Sequence, residues 1–190
     1  MTALALTGCA GDSWQDNCQT DAQGIITCAG DNRPPAPELA AELLDGSTFD
    51  PAGYRGQVLV VNFWGSWCPP CRAEAADLEA TYQATRDQGV GFLGVNVKDS
   101  RDAALAFEDG RVSYPSLFDP ASRLALDFDI PPNSIPATII VDRHGRIATV
   151  IRQAVRQEGL QPLIEQIAAE ATVPVAEPVA DPATADPADG

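Results

Sequence analysis

The sequence predicts an α/β fold in which helices flank a central mixed β-sheet. Residues 58–63 and 90–97 are apolar almost throughout, as in strands covered on both faces, and a helical segment separates them. These two strands predict a parallel βαβ unit. Two β-rich runs around His144-Gly145 predict an antiparallel hairpin, which makes the sheet mixed. A chain of 190 residues, 45% of them hydrophobic, can form one domain with a proper core.

The part of the chain before the first core strand is predicted to be a linker and a small addition to the sheet. Residues 10–37 are polar and show neither a helical nor a strand period. Residues 39–49 hold two short apolar pieces around Asp45-Gly46, which predicts an N-terminal β-hairpin. We therefore expect a truncated signal segment and flexible linker over residues 1–38, and the folded domain over residues 39–170.

The helix between the two core strands is expected at about residues 69–88. Proline is tolerated in a first helical turn, and Gly89 ends the pattern. The predicted core-facing residues of this helix are Ala76, Leu78 and Tyr82.

Several elements follow the second core strand. A helix is predicted to begin near Ser100, a candidate N-cap, and to place Ala104 and Phe107 on one face. The closing helix has an apolar stripe of Leu163, Ile164 and Ile167. The predicted bounds are 51–57 for a loop, 99–108 for a helix, 114–118 for a short strand, 121–128 for a short helix, 135–151 for the hairpin and 159–170 for the closing helix.

Two cysteines lie where the first core strand meets the first helix. In Cys68-Pro69-Pro70-Cys71, Cys68 is expected at the helix N-terminus, where free N–H groups and the helix dipole favour a thiolate and lower the thiol pKa. Cys71 lies one turn further along and is expected to be better shielded. The pattern predicts a redox enzyme in which Cys68 forms a mixed disulfide and Cys71 resolves it. Beyond this redox-active pair, we expect no cofactor.

The same motif carries a family resemblance. Asn-Phe-Trp-x-x-Trp-Cys-Pro-Pro-Cys-Arg-x-Glu, from Asn62 to Glu74, resembles the TlpA/ResA-like proteins, extracytoplasmic thiol-disulfide oxidoreductases that include the DsbE/CcmG type. The resemblance covers roughly residues 39–170. It implies a thioredoxin-like fold and a cis peptide bond before Pro136, facing the cysteines. The backbone of Ile135 would then be free to pair with a substrate strand.

Other residues of the motif are candidates for substrate binding or proton transfer. Trp64 and Trp67 flank the cysteines and would wall the site with flat apolar surface. Asn62 stands where thioredoxins have a buried Asp that helps to deprotonate the second cysteine, and an amide cannot do so. Glu74 matches the Glu of ResA-like proteins and is a candidate proton carrier for Cys71. Alternatively, Glu74 is only a first-turn dipole partner. The candidate substrate-binding residues are Trp64, Trp67, Pro69, Pro70 and Ile135.

The resemblance also implies partners. The substrates would be disulfide-containing proteins, with the CxxCH site of apocytochrome c as one class. A membrane thiol donor of the CcdA/DsbD kind would restore the reduced state. The direction of exchange stays open between a reductase and a disulfide-forming oxidase, since the proline pair does not fix the redox potential.

Composition limits the other partners. The net charge of −15 argues against nucleic acid, because phosphate recognition needs clustered Lys and Arg. Residues 10–38 and 171–190 each carry a net charge of −4, so the domain itself is mildly acidic. Residues 171–190 are rich in Ala, Pro, Val and acidic residues without an aromatic side chain, which predicts a disordered tail.

A cysteine near the start of the chain lies in a lipoprotein-like motif. Leu6-Thr7-Gly8-Cys9-Ala10 matches the lipobox of bacterial lipoproteins, in which the cysteine is lipidated. Only six residues precede Thr7, without Lys or Arg, whereas a signal peptide needs a basic n-region and an apolar h-region. Either the true start lies upstream or the match is accidental. In the first case, Cys9 would anchor the protein to the outer face of the cell membrane.

Two more cysteines, Cys18 and Cys28, stand on either side of a plausible Gln23-Gly24 turn. In an oxidising compartment they are expected to form a small structural disulfide. A second redox pair and two unpaired thiols are the alternatives.

Functions of other classes fit the motif less well. A structural zinc needs four ligands, and only His144 and distant cysteines would complete a site, so we expect no metal. His144 itself is expected to be a solvated turn residue. A peroxiredoxin needs Thr three residues before its reactive cysteine, and Gly65 stands there. A Sco-like copper module would use CxxxC with a partnering His, whereas this chain has CxxC.

Overall fold

A mixed β-sheet of seven strands forms the centre of the computed structural model, which describes residues 18–131 and 133–170. The strands are β1 (Gln19–Thr20), β2 (Ile26–Thr27), β3 (Val58–Trp64), β4 (Val90–Val97), β5 (Ser116–Asp119), β6 (Ala137–Val141) and β7 (Ile147–Ile151). Their order in the sheet is β1-β2-β7-β6-β3-β4-β5. β3, β4 and β5 are parallel to one another, and β6 and β7 form the predicted antiparallel hairpin.

Helices cover both faces of this sheet. They are α1 (Pro69–Thr85), α2 (Arg101–Glu108), α3 (Arg123–Asp127) and α4 (Gln157–Ala168). β3, α1 and β4 form the predicted βαβ unit, and the predicted fold class is confirmed. α1 ends three residues early because residues 86–88 form a 3₁₀ turn before Gly89, which has a φ of 73°. None of the helices in the described part of the chain is long and apolar enough to span a bilayer.

The buried face of α1 differs from the prediction at one position. Leu78 is buried, and Tyr82 is partly buried against the aromatic rings of Phe92 and Tyr114. Ala76, however, is exposed, and the buried alanine is its neighbour Ala75. The 3.6-residue period explains the error, since Ala75 lies about one turn from both Leu78 and the buried Cys71, whereas Ala76 falls outside that face.

The later elements occur as predicted, with shifted ends. Ser100 caps α2 by accepting a hydrogen bond from the Ala103 amide at 3.3 Å, and Ala104 and Phe107 are buried. β5 begins two residues later than expected, and α3 is shorter because Ser122 has a left-handed φ of 56°. α4 begins two residues earlier, and its buried stripe is Leu160, Ile164 and Ile167, with Leu163 only partly buried.

The N-terminal segment is folded where the sequence predicted a linker. β2 pairs with β7, with Ile26 opposite Val150, and β1 pairs with β2 across a turn at Gly24. The prediction of a flexible linker is therefore wrong for residues 18–37. Strands of two residues carry no detectable period, and their pairing depends on the open edge of β7.

The hairpin predicted over residues 39–49 is present at its expected place, but only as a short one. Residues 39–49 make one bridge, Glu42 to Thr48, around a turn with Gly46 at a φ of 87°. The strand pair β1 and β2, which extends the sheet beyond β7, is a second addition that was not predicted. Cys18 and Cys28 flank this pair and form a disulfide with an S–S distance of 2.00 Å. Cys9 with its lipobox and the tail over residues 171–190 lie outside the described residues.

Candidate active site

Cys68 and Cys71 lie at the N-terminus of α1, directly after the carboxyl end of β3. Their sulfurs form a disulfide with an S–S distance of 2.06 Å. Cys68 is the N-cap of α1, and its Sγ accepts a hydrogen bond from the Cys71 amide at 3.3 Å. Proline at the next two positions suits this helix start, because the first turn needs no donor there. Because Pro69 and Pro70 carry no N–H and the Arg72 amide donates to the Cys68 carbonyl oxygen, the Cys71 amide is the donor of the first turn that faces the Cys68 sulfur.

The two cysteines do not differ in exposure, contrary to the prediction, since each is 3% exposed. They differ in what surrounds them. Cys68 lies beside the exposed residues Trp67, Pro69 and Pro70, and its Sγ is 3.9 Å from the Ile135 carbonyl oxygen. Cys71 lines a small interior cavity. A protein substrate would thus approach from the Cys68 side.

The peptide bond between Ile135 and Pro136 is cis, as the resemblance implied. β6 runs antiparallel to β3 with Ala137 opposite Phe63, and this register brings the preceding proline to the end of β3. Pro136 is buried, and Ile135 is partly buried against the cluster that contains both cysteines. The structure thus brings together Cys68, Cys71, Ile135 and Pro136, which are far apart in the sequence.

The two tryptophans occupy different places. Trp67 is 49% exposed, and its Nε1 donates to the Val97 carbonyl at 3.3 Å. Trp64 is only 6% exposed, so its prediction as a substrate-binding surface is corrected. It packs behind the disulfide against Phe107, with ring centroids 5.5 Å apart. As the last residue of a central strand, Trp64 faces the core, whereas Trp67 belongs to the loop before α1.

Asp99, which was not predicted to belong to the site, holds this loop in place. Its carboxylate accepts hydrogen bonds from the Ser66 amide at 2.7 Å and the Ser66 hydroxyl at 2.9 Å. Burial raises the pKa of Asp99, but the hydrogen bonds from Asn96 and Ser66 outweigh it and hold the pKa below its ordinary value. The predicted parallel pairing of β3 and β4 could have indicated this contact. It aligns Trp64 with Asn96 and so brings together the loops that follow the two strands.

Glu74 is buried one turn below Cys71 on α1, with 1% exposure. Its Oε1 accepts from the Asn62 amide at 3.0 Å, and its Oε2 accepts from the Val155 backbone N–H at 2.8 Å. Burial raises the pKa of Glu74 to about 7, even though both hydrogen bonds oppose this rise. A solvated dipole partner on the first turn would be exposed, so this arrangement does not fit the simpler interpretation of Glu74.

A small cavity lies behind Cys71. Its volume is about 20 Å³. Its polar lining comes from Cys71, Asn62, Glu108 and Tyr114. Glu108, at the end of α2, was not predicted, because the residue after a buried Phe107 on an amphipathic helix would normally face solvent. In the part of the chain that the structure describes, no cluster of three or more His, Cys, Asp or Glu suits a metal ion.

This arrangement can be compared with known proteins. Residues 33–150, well over half of the chain, match the AhpC/TSA family. The chain belongs to the AhpC/TSA family. Among related members, the thiol:disulfide interchange protein HelX of Rhodobacter capsulatus is 30% identical over 171 residues, covering 89% of this chain and 94% of HelX. The thiol-disulfide oxidoreductase ResA of Geobacillus kaustophilus is 28% identical and covers 70% of this chain and 75% of ResA.

Solved structures agree with this family assignment. A secreted thiol-disulfide isomerase from Corynebacterium glutamicum superposes with a TM-score of 0.71 and 30% identity, covering 77% of this chain and 95% of that protein. Together with the cysteine pair at the helix N-terminus, these matches make this family member a thioredoxin-like thiol-disulfide oxidoreductase of the ResA/DsbE type.

Proposed function

We propose that this protein reduces disulfides in other proteins, outside the cytoplasm, by exchange at Cys68 and Cys71. The observation that carries the proposal is the disulfide at the N-terminus of α1, with the Ile135 carbonyl 3.9 Å from the Cys68 sulfur. An extended substrate segment beside Ile135 would have its disulfide within reach of Cys68. The exposed indole of Trp67 offers an apolar contact next to it.

The exchange has two steps. In the reduced enzyme, the Cys68 thiolate attacks one sulfur of the substrate disulfide, which forms a mixed disulfide and releases the first substrate thiolate. Cys71 then loses its proton and attacks the Cys68 sulfur. This second attack forms the Cys68–Cys71 disulfide and releases the second substrate thiolate. Two electrons pass from the enzyme to the substrate, and the substrate sulfurs take up two protons.

The local structure favours Cys68 as the first nucleophile. The Cys71 amide that points at its sulfur and the N-terminal end of α1 both stabilise negative charge there. Glu74 would take the proton of Cys71, since a carboxyl group with a pKa of about 7 can change protonation at neutral pH. Asn62, whose side chain donates to Glu74, also lines the cavity at Cys71 and so lies near both groups. The pair itself needs no bound cofactor.

The partners follow from the family resemblance. Apocytochrome c would be one substrate class, as in the DsbE/CcmG type, and a membrane thiol donor of the CcdA/DsbD kind would reduce the oxidised pair again. An extracytoplasmic location is supported by the secreted relative from Corynebacterium glutamicum. A lipid anchor on Cys9 would hold the protein at the membrane surface.

Peroxide reduction fits the site of this protein less well than disulfide exchange does. A Cβ at Gly65 would lie 2.6 Å from the Trp67 Nε1, so the threonine of peroxiredoxins does not fit there without displacing the indole.

Insulin reduction tests the proposal. We expect the wild-type protein to reduce insulin disulfides, Cys68→Ser to have no activity, and Cys71→Ser to accumulate a mixed disulfide through Cys68 that is detectable by mass. Insulin reduction that survives in Cys68→Ser would refute the proposal. The redox potential of the Cys68–Cys71 pair, measured against glutathione, then shows whether the protein reduces or forms disulfides. A value near that of known oxidases would favour the disulfide-forming alternative.

A further inference from the structure

We infer that Glu108 is a second proton-transfer group for Cys71, acting through a water molecule in the cavity that both side chains line. The inference rests on the proposed exchange at Cys68 and Cys71 and adds a residue outside the cysteine motif. Glu108 belongs to α2, and Cys71 belongs to α1.

The cavity is large enough to hold one water. Its volume of about 20 Å³ exceeds the minimum of roughly 10–15 Å³ that a water requires. The residues that line it include Glu108, Asn62 and Tyr114, each of which carries a polar side-chain group. A water with two to four such partners is stable inside a protein. This water would lie between the Cys71 sulfur and the Glu108 carboxyl.

A hydrogen-bond chain holds Glu108 in place. The Trp64 Nε1 donates to the Ser116 hydroxyl oxygen at 3.2 Å, and the same hydroxyl donates to Glu108 Oε1. Because the indole N–H occupies the Ser116 oxygen, the hydroxyl hydrogen is directed to the carboxylate. Trp64 also packs in the cluster that contains both cysteines. The hydrogen-bond chain therefore links the position of the Glu108 carboxyl group to the cysteine pair.

The groups around Glu108 allow it to change charge near neutral pH. Burial raises its pKa to about 6, although the bond from Ser116 opposes this rise. The titratable groups that share its cavity are Cys71 and Tyr114. The charged residues next to Glu108 in the sequence have other surroundings. Asp109 is exposed, and the Arg111 guanidinium donates to the Phe107 carbonyl at 2.7 Å. Glu74, which does not line the cavity, bonds to the cavity residue Asn62.

The proton balance of the exchange gives Glu108 its role. When Cys71 attacks the mixed disulfide, its S–H proton passes through the water to the Glu108 carboxylate, while the Cys68–Cys71 bond forms and the substrate thiolate leaves. When a donor thiolate later attacks Cys68, the Cys71 thiolate leaves and takes the proton back from the Glu108 acid. Glu74 and Glu108 would thus serve the same sulfur from two sides.

The test separates the two steps of exchange. A reagent that forms a mixed disulfide with Cys68 and releases a coloured thiol, such as dithiobis-nitrobenzoate, reports the first step and the Cys71-dependent second step from pH 5 to pH 8. In the wild type we expect the second step to show inflections near pH 6 and pH 7. Glu108→Gln should lose the lower inflection and slow this step at pH 7 by at least about tenfold, while the first step is unchanged.

Three variants complete the test. Asp109→Asn removes an exposed charge at the next residue and should leave both steps as in the wild type. Glu108→Asp should restore part of the lower inflection. Ser116→Ala keeps the acid but removes the hydrogen bond that lowers its pKa, so the inflection should move to higher pH. A lower inflection that persists in Glu108→Gln, equal slowing of both steps, or an unmoved inflection in Ser116→Ala would each overturn the role of Glu108. Because Cys68→Ser tests the exchange itself, failure of the proposed function is recognised separately.

Discussion

Glu74 lies in an interior position that opposes its ionisation. Its carboxyl group is 1% exposed, and burial raises its pKa from an ordinary value of 4.5 to about 7. Between these two values an unfolded chain loses the proton that the folded protein keeps. The stability that Glu74 contributes is therefore complete below pH 4.5 and is lost as the pH rises to about 7. A shift of this size corresponds to about 3 kcal/mol.

Replacing Glu74 by glutamine should remove this dependence. We expect the free energy of unfolding of Glu74→Gln to fall between pH 4 and pH 8 by up to about 3 kcal/mol less than that of the wild type, as measured by urea unfolding. Because the amide nitrogen of glutamine cannot accept a hydrogen bond as the second carboxylate oxygen does, the variant should be less stable than the wild type at pH 4. Glu79→Gln, on the same helix, is the control. Hydrogen bonds from Gln83 and Ser113 outweigh burial and lower the pKa of Glu79, so that variant should keep the wild-type loss of stability between pH 4.5 and pH 7.

The same variant tests the role of Glu74 in exchange. If Glu74 carries the Cys71 proton, Glu74→Gln should lose the inflection near pH 7 in the second step of exchange. An unchanged pH profile of exchange, together with the expected loss of the pH dependence of stability, would show that Glu74 is buried but takes no part in the reaction.

At the scale of elements, the close approach of β3, β4 and β5 depends on a glycine. Gly94 of β4 lies between Asn62 of β3 and Ser116 of β5 in the sheet register. A Cβ at Gly94 would lie 1.9 Å from the Ser116 hydroxyl and 2.9 Å from the Trp64 Nε1. The missing side chain thus leaves the space in which Trp64, Ser116 and Glu108 form their hydrogen bonds.

We therefore expect Gly94→Ala to lose stability and to disturb the active site. Overpacking of this kind costs about 1–3 kcal/mol. Gly91→Ala is a matched control on the same strand, since a Cβ there would lie 2.5 Å from Tyr54, away from the cysteines. Both variants should unfold at lower urea concentrations, but only Gly94→Ala should shift the pH profile of exchange. Equal effects on exchange in the two variants would contradict this assignment.

The elements that could be predicted are those with a long and strong pattern. β3, α1 and β4 were found from their apolar runs and from the helix start after Cys68, and the catalytic candidates lie at their junction. Asp99 and Glu108 were missed for a common reason. Each gains its place from a strand or helix that is distant in the sequence, and no local period records that contact. β1 and β2 were missed because a two-residue strand is too short to show alternation.

At the scale of the whole molecule, one buried arginine joins segments from three parts of the chain. The side chain of Arg33 is 6% exposed. Its Nε donates to the Cys28 carbonyl at 2.9 Å, its Nη1 lies 3.1 Å from Asp142 Oδ2, and two bonds of 2.6 Å join it to Glu170. The guanidinium thus connects the disulfide-bonded N-terminal hairpin, the turn between β6 and β7, and the residues after α4.

Substitution of Arg33 by methionine tests whether the N-terminal segment is part of the fold. Loss of the cation removes the interior partner of the buried Asp142 carboxylate, which keeps Arg146 and two backbone N–H donors, so a loss of about 1–3 kcal/mol is expected. Arg146→Met is the matched control. It removes the half-exposed partner of the same carboxylate, so a loss of less than about 1 kcal/mol is expected. Urea unfolding at pH 7 measures both. If the two variants are equally stable, Arg33 does not hold the hairpin against the sheet.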